Sequence, residues 1–108
     1  NPNGAGGTKV AGGTGGLIIL VVRGNLTIGA NGTIESKGAQ GNNATGSSVL
    51  GYGGGGSGGG SINIFYGGTY IKTGQVLATG GTGGLKNGFT NSRNGGNGGA
   101  GCITETEI

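Results

Sequence analysis

The chain has 108 residues, 34 of them glycine, and its six Lys and Arg outnumber three Glu for a net charge of +3. Collagen is excluded, because a single proline cannot supply the preset backbone angle of that helix. Most enzyme classes are excluded too: with no histidine and no aspartate there is no Ser-His-Asp or Cys-His arrangement and no usual zinc set.

Hydrophobic residues make up 31% of the chain and aromatics 5%, too little apolar volume to order so much glycine around an ordinary core. The glycine-rich stretches are therefore either slack linker or segments held by dense main-chain hydrogen bonding. An opening of Asn1-Pro2 without methionine reads as a processed form or a fragment. Residues 1–16 read as the end of a glycine excursion.

The first predicted strand is Leu17–Val22, entered from Gly12-Gly13-Thr14-Gly15-Gly16. It is apolar on both faces, so coverage on both sides is expected. At six residues it is far too short to cross a membrane as a helix, and no membrane span is expected. Leu26-Thr27-Ile28 and then Gly32-Thr33-Ile34-Glu35-Ser36-Lys37-Gly38 follow, each read as holding a short strand, with Asn31-Gly32 between Ile28 and Ile34 as a hairpin turn or solenoid corner. A glycine-rich excursion then runs from Gly38 to Gly60.

The order then recurs. Gly58-Gly59-Gly60 leads into Ser61–Tyr66, then Thr69-Tyr70-Ile71 and the segment Gly74-Gln75-Val76-Leu77-Ala78-Thr79-Gly80, then an excursion from Gly80 to Gly101. Gly98-Gly99-Ala100-Gly101 leads into the strand Cys102, Ile103, Thr104, Glu105, Thr106, Glu107. The starts at 17, 61 and 102 give units 17–60, 61–101 and an incomplete 102–108, within one domain spanning 1–108. The last strand places Glu105 and Glu107 on one face, as an exposed edge or as an assembly strand that joins a neighbour. Cys102 has no intrachain partner and reads as a small buried hydrophobe, with an interchain cross-link as the alternative.

Inside the excursions, Gly-Gly pairs separate Ala11, Thr14 and Leu17, then Thr79, Thr82 and Leu85, then Asn94, Asn97 and Ala100. A period of three matches an extended left-handed helix with three residues per turn. Two of its edges are then bare, so neighbouring backbones can approach and bond. The expected class is all-β without α-helix: glycine-rich repeats of 41–44 residues, with short stacked strands in a β-solenoid or sandwich-like arrangement, covered by polyglycine-II-like helices.

Glu35 has no carboxylate near it in sequence and reads as a solvated strand residue, so paired acid/base work is not expected. No G-x-G-x-x-G sits between strand and helix, and no cofactor is expected. The basic residues are scattered singly, which argues against a nucleic-acid partner. Tyr66 and Tyr70 read as packing residues. Tyr52, at one excursion tip beside Val49 and Leu50, and Phe89, at the other with Asn87, Asn91 and Arg93, are the candidate partner contacts; rings and amides together suit carbohydrate.

Glycine run, apolar strand, "GNLTI–GTIESKG" and glycine run resemble the glycine-rich repeats of bacteriophage tail-fibre and tail-tip adhesins and of bacterial surface proteins. Asn94-Gly95-Gly96-Asn97-Gly98-Gly99-Ala100 also resembles glycine-rich repeats of mycobacterial surface proteins. The resemblance implies polyglycine-II sandwiches, apical loops that recognise a host surface receptor, and a location outside the cell or on a virion. The expected function is a non-enzymatic structural or adhesive protein that self-associates. The alternatives are a subunit of an extracellular filament joined by strand addition and an ice-binding protein, for which Thr104 and Thr106 supply a fragment of a threonine array.

Overall fold

Glycine punctuation sets where strands begin and end in this chain. The computed structural model describes residues 13–46 and 50–108. Its elements in chain order are β1 (Leu17–Val22), β2 (Leu26–Ile28), β3 (Thr33–Glu35), β4 (Ser61–Tyr66), β5 (Tyr70–Lys72), β6 (Gln75–Leu77) and β7 (Cys102–Glu107). There is no helix among the described residues, and no sheet closes into a barrel.

The seven strands form three small parallel sheets, ordered β1-β4-β7, β2-β5 and β3-β6. Leu17 lies opposite Ser61, 44 positions later, and Ser61 lies opposite Cys102, 41 positions later. Leu26 pairs with Tyr70 and Thr33 with Gln75 in the other two sheets. The Gly32 N–H donates to the Gly29 carbonyl at 2.8 Å, which makes the turn expected at Asn31-Gly32. It is a corner and not a hairpin, because β2 and β3 pair with β5 and β6 and not with each other.

The core lies among the three sheets. Ile62 and Ile64 of β4 are completely buried, with Ala78 beside them, and Ile18, Leu20, Leu26, Ile34, Tyr66 and Val76 pack around this group. The Tyr66 and Tyr70 rings stand 5.0 Å apart at a tilt of 41°, as aromatic packing favours. β4 is the middle strand, so its inward residues lose water on every side.

Beyond the strands the ladder continues into glycine. Gly15 N–H donates to the Gly58 carbonyl and Gly59 N–H to that of Gly99, each at 2.9 Å. These segments thus prolong β1, β4 and β7 end-on. From β3 and β6, Ser36 N–H donates to Leu77, and Gly38, Gly41 and Ala44 donate to Thr79, Thr82 and Leu85, one bond every third residue. Between the two sets, Gly54 and Ser57 donate to Asn42 and Ala39, and Gly95, Gly98 and Gly101 donate to Gly84, Gly81 and Ala78, so those neighbours run antiparallel.

Steric space explains the glycines. Among the described glycines only Gly46 has positive φ, at 83°. Elsewhere the missing Cβ matters. A Cβ on Gly56 would land on the Gly81 carbonyl, and one on Gly98 on that of Ser57. Buried main-chain groups need partners, and only bare backbones come this close.

Two expectations are corrected. β1 is covered on one face only: Leu17, Ile19 and Val21 are 66%, 61% and 59% exposed. The glycine segments run on from the strands instead of folding over them, so that face is left open. Cys102 is an exposed free thiol, because it lies on the same outer face at the sheet edge. As expected of an edge strand, Glu105 and Glu107 are exposed, although they stand in register with Ile64 and Tyr66, on the face whose β4 residues form the core. The result is an elongated body of 60 × 23 × 17 Å, with a radius of gyration of 18.1 Å against about 13 Å for a compact domain of this length.

Candidate functional site

The excursion tips meet at one end of the molecule. Residues 87–92 turn back between two glycine segments, with Phe89 on the bend, 38% exposed. Asn87 ties this bend to the first excursion: its Nδ2 donates to the Gly46 carbonyl at 3.1 Å, and its Oδ1 accepts the Phe89 N–H at 3.1 Å. Asn91 and Arg93 are exposed, and the Arg93 guanidinium donates to the Ser92 carbonyl at 3.2 Å. Tyr52 is half-buried between Gly51, which is bonded to Ser92, and Gly53, whose N–H donates to the Arg93 carbonyl at 3.0 Å. The five residues singled out by sequence are thus at one end, though Asn87 serves as a structural tie. Leu50 adds a partly exposed apolar side chain there. Val49 lies outside the described residues.

Ser92 is the residue that sequence reasoning missed. It is completely buried, accepts the Gly51 N–H at 3.0 Å and donates to Asn87 Oδ1 at 2.5 Å. A serine after Thr90 and Asn91 looks like ordinary loop polarity, and nothing in its neighbours marks it. Ser92→Ala strips the acceptor from a buried N–H, so a loss of about 1–3 kcal/mol is expected. Chemical denaturation checks it, and a loss under about 0.5 kcal/mol contradicts the tie.

A second polar feature is a half-open groove of ≈ 420 Å³ lined by Lys37, Gln40, Thr79 and Thr82 with Gly38, Gly80 and Gly81. It offers hydrogen-bonding groups and one cation, with no pair of carboxylates. Among the described residues no group of three His, Cys, Asp or Glu could hold a metal ion. Glu35 is exposed on β3, as expected of a solvated residue.

The strand Cys102–Glu107 is the edge of its sheet, paired to β4 on one side. On its outer face Thr104 Oγ1 donates to Asn63 Oδ1 at 2.9 Å, and Asn63 Nδ2 donates to Ser61 Oγ at 3.0 Å. The rows there read Ile19-Asn63-Thr104 and Val21-Phe65-Thr106, which is no threonine array. On the other face Glu105 Oε1 meets Lys72 Nζ at 3.4 Å, an exposed pair worth about 0–1 kcal/mol.

Beside it the Tyr70 hydroxyl is shielded from water and lies next to the Glu105 carboxylate. Burial first, then hydrogen bonding to the Glu105 carboxylate and its negative charge, push its pKa up to about 12. The folded state therefore holds the phenol neutral more firmly than the unfolded chain does, near 10. That contribution is complete below pH 10 and is lost as pH rises through 12. In a spectrophotometric titration Tyr70→Phe is expected to remove a phenolate step near pH 12. An unchanged curve in that range contradicts the assignment.

Comparison with family models, curated proteins and solved structures finds no match for this chain. No helix among the described residues is long and apolar enough to cross a membrane.

Proposed function

We propose that this chain is a non-enzymatic structural and adhesive module of a phage tail fibre or bacterial surface, displayed outside the cell. In this reading the strands stack as a β-solenoid, and polyglycine-II-like helices carry the stack forward as a stiff rod. The rod presents Tyr52, Phe89, Asn91 and Arg93 at its end to a carbohydrate or another host surface receptor.

One observation carries the reading. An end cluster of rings, amides and a guanidinium is anchored by a completely buried serine to two separate excursions. Loops fixed in this way lose little freedom on binding, which favours affinity. The Asn-rich, Tyr- and Phe-bearing composition suits sugar rings, whose apolar faces stack on aromatics while hydroxyls meet amides.

The test is binding of the purified chain to glycan arrays and to intact bacterial cells. Phe89→Ala with Tyr52→Ala is expected to lower binding at least about tenfold, as loss of two aromatic anchors does, without changing the melting curve. Equal binding by the double variant, or none by the native chain, overturns the proposal.

A filament reading has one feature in its favour, the open edge and exposed outer residues of β1. The ice-binding alternative lacks its threonine array.

A further inference from the structure

Two main-chain donors at one margin of the glycine layer are satisfied by side chains. In residues 36–44 the N–H groups of Gly38, Gly41 and Ala44 donate to carbonyls of Thr79, Thr82 and Leu85. The β3–β6 register, Thr33 opposite Gln75, makes Gly83 and Lys86 the counterparts of Gly41 and Ala44. Among the described residues no glycine segment lies beyond them. Instead the Gly83 N–H donates to Asn97 Oδ1 and the Lys86 N–H to Asn94 Oδ1, each at 2.8 Å.

The preceding layer shows what these asparagines replace. With Ser61 opposite Cys102, the counterparts of Asn94 and Asn97 are Gly53 and Gly56. At those two positions a Cβ would land on the Gly84 and Gly81 carbonyls, because residues 78–86 occupy the space. Asn94 and Asn97 project into the matching space one layer on.

We propose that Asn94 and Asn97 are end caps: their side-chain amides stand in for the main chain of another glycine segment and close the layer at this margin. The principle is that of a helix N-cap, where a side-chain oxygen accepts an N–H that has no main-chain partner. A segment seated there would displace both amides and collide with their Cβ atoms.

The strand stack closes at the same end. Glu105 continues the row Leu20-Ile64, and Glu107 the row Val22-Tyr66. A further strand laid on β7 would enclose both carboxylates, a known device against edge pairing. The first described segment is closed in the same way. Gly81 and Gly84 are bare where they face Ala39 and Asn42, whereas Ala39 and Asn42 carry side chains at the matching positions. Among the described residues the layer is bounded by choice of side chain. This inference stands whether or not the tip binds sugar.

Hydrogen exchange on the full chain, read by NMR for each amide, tests it. Asn97→Ala is expected to speed exchange at Gly83, and Asn94→Ala at Lys86, by roughly fivefold or more, the worth of one hydrogen bond. Gly81 and Gly84, bonded to Ser57 and Gly54 carbonyls, keep their native rates. Asn97→Asp, which still offers an oxygen, keeps Gly83 protected. The double variant Asn94→Gly with Asn97→Gly is expected to speed exchange at Gly83 and Lys86 together. Unchanged rates at Gly83 and Lys86 in these variants overturn the cap. Fast exchange at Gly81 and Gly84 in the native chain overturns the ordered layer itself and the cap with it, without bearing on the tip's binding.

Discussion

Gly56→Val is expected to destabilise the protein by about 3 kcal/mol or more, an extreme cost for adding three carbons. Gly56 donates its N–H to the Gly96 carbonyl at 2.9 Å, and its Cα faces Gly81 so closely that any Cβ lands on that carbonyl. Relief would mean separating residues 51–60 from residues 78–86, which breaks the donation of Gly81 and Gly84 to Ser57 and Gly54. Gly99→Ala is the control. It has the same composition around it, but a Cβ there meets nothing within 4 Å and its φ is not positive. That change is expected to be neutral or to stabilise by about 0.4–1 kcal/mol, by narrowing the unfolded ensemble. Melting curves separate the two: at ~4–8 °C per kcal/mol the valine variant falls more than about 10 °C below the alanine variant. Similar losses for both would mean that the glycines supply flexibility and not close approach.

Ile64→Ala is expected to cost about 2–5 kcal/mol. Ile64 is fully buried between Leu20 and Glu105 in the middle strand, and it belongs to the small apolar group on which all three sheets converge. So little core exists that no neighbouring apolar cluster can compensate. Ile19→Ala, one residue back from its counterpart Leu20 and on the open face, is expected to cost less than about 1 kcal/mol. Denaturant titration of both variants decides; a loss at Ile19 as large as at Ile64 would show that the outer face of β1 is covered.

The sequence made the strands legible because glycine runs interrupt every apolar stretch. Leu17–Val22, Ser61–Tyr66 and Cys102–Glu107 are entered from glycine and were readable to the residue. Matching order after each start also pointed to which strands align. What periodicity could not convey was the path of the excursions. An apolar strand reads as covered on both sides, but cover depends on whether the next segment folds back or runs on, and here it runs on. The outer exposure of Leu17 and Cys102 follows from that path.

At the candidate site, ring and amide composition marked Tyr52, Phe89, Asn91 and Arg93. The tie through Ser92 was invisible, because its partners Gly51 and Asn87 come from different excursions. The caps at Asn94 and Asn97 were hidden in plain view. Their period of three placed them on one edge of the segment, yet only the Gly83 and Lys86 N–H groups brought to that edge by the fold give them a role.

The central claim is that main-chain hydrogen bonds, and not an apolar interior, hold the glycine segments in place. Amide exchange at Gly54, Gly81, Gly84, Gly95 and Gly98, whose N–H groups are bonded between segments at 2.7–2.9 Å, measures this directly. The expected result is exchange slowed together at all five, to the degree seen for the Ile64 amide of β4. Exchange at the rate of a free glycine peptide, while Ile64 stays protected, would contradict the account.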